Sequence, residues 1–350
     1  MTLPTVNPGL DNCELRTRLT GLIENFGRRR IVVVGDLLAD EFVYGRLDRV
    51  SREAPVLILK YDSTEVTPGG AGNSAHNVAA LGSVARLVGV IGTDDTGRRL
   101  SRSFSRRVVR TGLIRPAGYN TPTKTRILAG GIHSARQQVV RVDREGTVVD
   151  RSTREAVTQA AIEAVAECDA VIVSDYGTGL ITPGMVAAIK RHIPRRGRRE
   201  VVRILLDSRY ALMRHRRLTI AAPNESEVEQ ILGISVGDDP RALERAGRTI
   251  LKRTKMGAIL ITRGSRGMAL FEPGRPTQHI SIYGGDEVAD VTGAGDTVVA
   301  TMAVALSAGA SFFEAARLAN YAGGIVVMKR GTATVGPTEL LDAVKSDLGG

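Results

Sequence analysis

From residue 170 onward the sequence alternates short aliphatic runs with longer amphipathic segments, and few folds accommodate that order. Residues 170–174, 202–206, 218–222 and 258–262 are strand-like, and 151–167, 183–192 and 240–255 around them carry helical spacing. Parallel strands need crossover helices, so a chain written this way folds as a mostly parallel sheet with helices on both faces. Ile31-Val32-Val33-Val34 adds a further buried strand. Ligands of such sheets bind at the carboxyl ends of the strands, and Asp36, Asp175, Asp207, Asn224 and Thr262 all stand there. After Asp36 comes Leu37-Leu38-Ala39-Asp40, without the further glycines of a dinucleotide fingerprint.

The pattern changes at 41–66 and again at 120–145. Phe42-Val43-Tyr44 and Val56-Leu57-Ile58-Leu59, then 123–128 and 137–142, read as short antiparallel strands. With 350 residues the chain can hold one large α/β domain or two small ones, and either can bury a full core. The expected boundaries are 1–30 for an N-terminal tail and helix, 31–340 for the domain, and 341–350 for a C-terminal tail.

Composition removes several classes. No apolar run approaches the roughly 20 residues that span a bilayer, and the first residues lack a leader pattern, so a cytoplasmic protein is expected. Cys13 and Cys168 are too far apart to suggest a disulfide framework or a zinc site. The net charge of +11 is carried mostly by Arg, in clusters at 28–30, 106–110, 195–199 and 214–217. Without interleaved aromatic residues or a reading motif, these predict no nucleic-acid partner.

The chemistry is expected in 288–309, VADVTGAGDTVVATMAVALSAG. Gly293-Ala294-Gly295 is a tight turn before a run of small apolar residues that Gly309 ends, which reads as a glycine turn feeding a helix. The first N–H groups of such a helix lack internal partners and favour an anion, and bare glycines let a phosphoryl group approach them. Asp296 would repel that anion unless it serves as a base for an attacking hydroxyl. On these residues alone it reads equally well as a helix cap.

Asp290-Val291-Thr292-Gly293-Ala294-Gly295-Asp296 resembles the C-terminal signature of the ribokinase (PfkB) family of sugar kinases. The spacing from Gly70 through Asn73 and Gly82 to Gly92 is similar to that family's N-terminal signature. The resemblance implies a ribokinase-like three-layer α/β/α fold with the insertions paired as a β-sheet lid. It makes Asp296 the catalytic base, with Gly293, Ala294 and Gly295 as the anion hole. Asp36 becomes the sugar ligand, joined by Asp40, Gly69, Gly70 and Asn73, whose amide offers a polyol both a donor and an acceptor.

On the nucleotide side, Pro223-Asn224-Glu225-Ser226-Glu227 is similar to the family's Asn-x-x-Glu element, which orders Mg²⁺ and the phosphates largely through water. Asn224 and Glu227 also fit a capping pattern, and both readings stand together. Thr262-Arg263-Gly264-Ser265-Arg266-Gly267 resembles the family's nucleotide loop, which gives Thr262, Gly264 and Gly267. Asn320 matches a position near the nucleoside. ATP and Mg²⁺ are the implied cofactors, with room for a monovalent cation, and lid sheets in the family often pair as homodimers.

Within the family, Gly35-Asp36 with Asp40, Arg49-Val50-Ser51-Arg52-Glu53-Ala54-Pro55-Val56, Gln137-Gln138-Val139-Val140-Arg141-Val142-Asp143 and Ser174-Asp175-Tyr176-Gly177 resemble the bacterial kinases of heptose 7-phosphate. A phosphorylated sugar needs cations, and Arg49, Arg52, Lys60 and Arg141 in or beside the lid are the candidates; each equally fits as a surface charge. The chain departs from that subfamily at Thr178, where a Lys is usual, and in a longer connection over 129–135. No histidine pair has the His-x-Gly-His spacing of a nucleotidyltransferase, so the expected product is a sugar bisphosphate. A kinase for another sugar or nucleoside, and a non-catalytic sugar- or nucleotide-binding regulator, remain the alternative readings.

Overall fold

The chain runs α1 (Asn12–Glu24), β1 (Arg30–Gly35), β2 (Leu37–Val50), β3 (Leu57–Gly70), α2 (Ala71–Ala80), β4 (Val84–Val90), α3 (Asp95–Ser103), β5 (Val108–Ile114), β6 (Thr123–Gly130), β7 (Gln137–Arg144), α4 (Arg151–Ala164) and β8 (Ala170–Asp175). It continues α5 (Pro183–His192), β9 (Arg203–Ser208), β10 (Ile220–Ala221), α6 (Glu225–Leu232), α7 (Pro240–Thr254), β11 (Ala258–Thr262), β12 (Met268–Phe271), β13 (Gln278–Ile280), α8 (Ala294–Ser307), α9 (Phe312–Val327) and α10 (Pro337–Leu348). The computed structural model describes residues 11–130, 137–147, 149–194, 202–285 and 290–349. The expected tail at 1–10, residues 131–135 of the longer lid connection, the basic cluster at 195–199, and Val288 and Ala289 lie outside the described residues.

Nine strands form one sheet in the order β13-β12-β11-β10-β9-β8-β1-β4-β5, parallel from β11 to β5 with an antiparallel edge at β12 and β13. Strand alternation sends β1 residues Ile31 and Val33 into a core shared with α1, α2, α8, α9 and α10. Val32 and Val34 point into a second core on the opposite face, with α4, α5 and α7. Three layers result because both faces of the central strands are apolar and each needs a helical cover. β10 is shorter than the expected 218–222. The hydroxyl of Thr219, rather than a backbone carbonyl, accepts the Ile204 N–H at 2.9 Å, which delays regular pairing.

α8 is buried from Asp296 to Leu306. Its small residues allow neighbours to close on it from several sides, so the turn at its start sits at the centre of the molecule. The next helix begins with a reciprocal capping box between Ser311 and Glu314. Residues expected as a tail from 341 continue α10, which buries Leu340, Ala343, Val344 and Leu348 and packs on α1. The N-terminal helix likewise contributes Leu19, Leu22 and Ile23 to the core.

The insertions form a separate four-stranded sheet, β3-β2-β6-β7. β2–β3 and β6–β7 are antiparallel, whereas β2–β6 is parallel. The parallel pair was not expected. It arises because both strands leave the main domain side by side, with the Ala39 N–H bonded to Pro122 O at 2.8 Å, and therefore run outward together. The second sheet begins immediately after Asp36 rather than at 41, since Leu37 already pairs with Gly70.

Candidate active site

The glycine turn and helix start are formed as the residues dictate. Gly293 adopts φ +78°, open to glycine at little cost, and a Cβ there would lie 2.4 Å from Asn73 Nδ2. Ala294 N–H turns back to Val291 O and Thr297 N–H bonds Gly293 O. Among the described residues the N–H groups of Gly293, Gly295 and Asp296 have no acceptor within the protein. A Cβ on Gly295 would meet nothing within 4 Å. Packing does not require that glycine, so the open space before it is a cradle that a side chain would fill.

Asp296 is 3% exposed, and its carboxylate is held from two directions. Asn73 Nδ2 donates to Oδ2 at 2.9 Å, while Ser74 Oγ and the Tyr176 hydroxyl each donate to Oδ1 at 3.1 Å. Burial pushes its pKa up to about 6 despite the lowering effect of Asn73, Tyr176 and Ser74, with Asp40 adding repulsion. That value keeps the group ionised near neutral pH yet basic enough to take a proton. The amide of Asn73, expected to meet a polyol, is instead engaged within the protein: its Oδ1 also accepts from Asn77 Nδ2 at 3.1 Å. Asn77 in turn accepts from Thr297 Oγ1 at 2.9 Å, so the two signature motifs are joined along the α2–α8 contact.

Asp36 lies at the end of β1, 2% exposed. It accepts from the backbone of Tyr176 at 2.7 Å and of Thr178 at 3.3 Å, and from the Thr178 hydroxyl. Thr178, where the resemblance leads to the expectation of a Lys, therefore sits on Asp36 as a neutral donor. Burial still raises Asp36 to about 6, against these donors. Gly70, at φ +57°, brings α2 against the Asp36 carbonyl, 2.5 Å from where its Cβ would stand; at Gly69 a Cβ would lie 2.5 Å from Asp40 Oδ2. Asp40 is paired with Arg126 at 2.5 Å.

On the far side of Asp296, Asn224 and Glu227 form a reciprocal capping box at the start of α6, with bonds of 2.8 and 2.9 Å. Asp207, at the end of β9, is raised well above the usual carboxylate range by burial and then by the charges of Asp296 and Glu227. Burial also raises Glu227. These carboxylates repel one another, Arg209 offsets part of that repulsion, and a further cation would relieve the rest. Among the described residues no three His, Cys, Asp or Glu side chains gather closely enough to hold a metal by themselves. The donors fit a hard ion that keeps its waters and takes further ligands from a polyphosphate. Thr262 bridges to Asn224, and Gly267 needs φ +74° and a bare Cα, since a Cβ would lie 2.1 Å from Ile280 O. Gly264 shares the positive φ, while Asn320 Nδ2 is bound to Ser281 O at 2.9 Å.

Two buried carboxylates, a glycine-lined helix start and a carboxylate cluster thus converge at the strand carboxyl ends. The sequence profile of the pfkB family of carbohydrate kinases matches residues 28–339. The chain belongs to that family. This PfkB kinase is a phosphotransferase with an alcohol group as acceptor. It is 37% identical over 336 residues to the bifunctional protein HldE of Geobacter sulfurreducens, covering 94% of this chain and 66% of that protein. To HldE of Aeromonas salmonicida it is 38% identical over 328 residues, covering 93% and 66%. The chain therefore spans just under two thirds of the length of these relatives.

Arabidopsis thaliana ribokinase complexed with ribose and ATP superposes with a TM-score of 0.67 at 20% identity, covering 91% of this chain and 99% of that one. Escherichia coli phosphofructokinase-2 in complex with fructose-6-phosphate gives 0.71 at 17%, covering 92% and 100%. These likenesses establish the ribokinase-like fold of the PfkB kinase. No helix among the described residues is long and apolar enough to cross a membrane.

The lid of this PfkB kinase redistributes the expected cations. Asp40, Lys124 and Asp143 are cross-strand neighbours, as are Phe42, Arg126 and Arg141, so these six share one face. That face looks onto the site, because Lys124 Nζ lies 5.5 Å from the Tyr176 ring centre. Arg141 is on it but forks onto Asp143 at 2.8 and 2.7 Å. Arg49 and Lys60 sit near the hairpin tip beside Asp48, at 3.9 and 2.9 Å, and Arg52 is exposed in the tip itself. Sequence reasoning missed Lys124, Arg126 and Arg209. Lys124 and Arg209 have no carboxylate within 4.0 Å among the described residues, and both lie against the Tyr176 ring, 5.5 and 4.4 Å from its centre. Burial and then the Arg209 charge lower the Lys124 pKa.

Proposed function

We propose that the chain is an ATP- and Mg²⁺-dependent kinase of a phosphorylated sugar, acting on the C1 hydroxyl of D-glycero-D-manno-heptose 7-phosphate to give the 1,7-bisphosphate. The observation that carries this reading is the Asp296 carboxylate, buried and held by Asn73, Ser74 and Tyr176 beside the N–H groups of Gly293 and Gly295, which have no acceptor among the described residues. The acceptor oxygen bonds to the γ-phosphorus as the bond to the bridging oxygen of ADP breaks, and Asp296 takes the hydroxyl proton. The helix-start N–H groups face the charge that grows on the phosphoryl oxygens. Asn224 and Glu227 would hold Mg²⁺ through water, with the Asp207 carboxyl group close by, and the ion would supply charge neutralisation to the phosphates.

The acceptor's own phosphate is assigned to Lys124 and Arg209, cations at the site with no carboxylate within 4.0 Å among the described residues, with Arg126 and Arg141 beside them. Thr262, Gly264, Gly267 and Asn320 flank the nucleotide. The lid exposes Leu47, Val50, Val56, Leu57, Tyr61, Val139, Val140 and Val142, which supports a homodimer paired through the lid.

One observation favours a different acceptor. Thr178 places a neutral hydroxyl on Asp36 where the resemblance leads to the expectation of a Lys, which alters the sugar end of the site. A panel of acceptors assayed by ADP release separates the two. Heptose 7-phosphate is expected to outperform the unphosphorylated sugars and nucleosides. Turnover confined to an unphosphorylated acceptor would overturn the substrate, and ATP binding without turnover on any acceptor would point to a regulator.

A further inference from the structure

Tyr176 stands one residue beyond β8 and joins the two halves of the site. Its N–H donates to Asp36 at 2.7 Å and its hydroxyl to Asp296 Oδ1 at 3.1 Å. Two cations lie against its ring, with Arg209 Cζ 4.4 Å and Lys124 Nζ 5.5 Å from the centre. α2 closes on the ring edge, since a Cβ at Gly70 would come within 3.4 Å of it. A ring held in this way can direct its hydroxyl along only one line.

A carboxylate offers about four lone-pair positions to donors. Tyr176 and Ser74 take those of Oδ1, and Asn73 takes one of Oδ2. One position, on Oδ2, is left for an incoming hydroxyl. We propose that Tyr176 is a positioning residue for phosphoryl transfer: by donating to Oδ1 it fixes the plane of the Asp296 carboxylate and leaves Oδ2 as the atom that receives the acceptor's proton. This rests on Asp296 being the base.

The charges around the pair agree with that division of roles. Asp40 and Asp207 face Asp296 and oppose its ionisation, so a donor on Oδ1 offsets them. Burial and then the charge of Asp296 hold the Tyr176 hydroxyl well above an ordinary phenol, while Asp207 acts in the same sense and Arg209 opposes it. Lys124 presents its ammonium to the ring face. The phenol therefore keeps its proton, and remains a donor, through the neutral range in which the carboxylate becomes charged. Phenylalanine would fill the same space without donating, so the hydroxyl is the part of the side chain that the site uses.

The test is a carboxyl ¹³C titration of the free protein, with the Asp296 resonance assigned by its loss in Asp296→Asn, alongside turnover against pH with the best acceptor of the panel. Tyr176→Phe is expected to move the Asp296 midpoint and the acid limb of kcat upward together by about one unit, as loss of a donor to the charged form requires. Turnover at pH 6 then falls about fivefold, approaching tenfold at lower pH, with KM for ATP unchanged. Incorporation of 3-fluorotyrosine at 176, a more acidic phenol and stronger donor, is expected to move both downward. A Tyr176→Phe midpoint superimposed on the wild type, or shifts of the same sign in both variants, would overturn the proposal. If no acceptor turns over, the titration still decides whether Tyr176 holds Asp296, while the kinase reading fails separately.

Discussion

The side-chain amide of Asn73 donates to the carboxylate of Asp296, 223 residues further along the chain, at 2.9 Å. One bond thereby fastens the glycine-rich start of α2 to the glycine turn of α8. Replacing the donor by an acceptor of the same shape inverts the contact. Asn73→Asp is expected to place two carboxylates in a buried space, raise the pKa of Asp296 and lower kcat at pH 7 by about a hundredfold or more. A pH–rate profile reads both effects.

The two glycines of the turn separate packing from ligand approach. Gly293→Ala meets both a positive φ and the Asn73 amide, and is expected to lose about 1–2 kcal/mol from the backbone conformation alone. Gly295→Ala meets nothing within 4 Å and should melt like the wild type while losing turnover. Thermal melts beside kcat measurements distinguish the pair. Equal destabilisation by both would remove the argument that Gly295 is bare for a phosphoryl group.

Asp36 and Asp296 are both raised to about 6 in the folded chain, above their ordinary value of 3.8. The folded state therefore binds protons more tightly than the unfolded one between these values, and stability falls as pH rises through about 6. An Asn at 296 can turn its oxygen to Asn73 and its NH₂ to the hydroxyls of Tyr176 and Ser74, which can rotate to accept. Asp296→Asn is accordingly expected to melt higher than the wild type at pH 8, with the difference shrinking toward pH 5. A difference that grew on acidification would contradict the assignment of a raised carboxylate.

What could be read before the structure followed contiguity. The parallel layers, the glycine turn and the placement of Asp296 at a helix start were legible because each depends on neighbouring residues. The partners of the base were not: Ser74 arrives from α2 and Tyr176 from beyond β8, brought together only by helix crossing and strand order. Lys124 and Arg126 were present as a period-of-two pattern in β6, but Arg49, Arg52 and Lys60 drew the assignment because nothing local shows that the hairpin tip turns back on Asp48. The parallel pairing of β2 with β6 depends on where two separated insertions leave the domain. α10 was legible in principle, since Pro337, Glu339 and the spacing of Leu340, Val344 and Leu348 mark a helix, yet its burial depends on α1 lying opposite.

The lid cations make a prediction of their own. Lys124→Ala and Arg209→Ala are each expected to raise KM for a phosphorylated acceptor by about tenfold or more, in line with loss of a charge-assisted contact, and to leave KM for ATP nearly unchanged. Arg49→Ala and Arg52→Ala should do little. The reverse order would return the phosphate to the hairpin tip.

The most direct test of the whole account is kcat of Asp296→Asn at pH 7.5 with ATP, Mg²⁺ and the best acceptor, beside its affinity for ATP. Loss of the base predicts a fall of about 10²–10⁴-fold with ATP binding nearly intact. Turnover within a few-fold of the wild type would show that the proton goes elsewhere and that the buried carboxylate at the helix start is not the base.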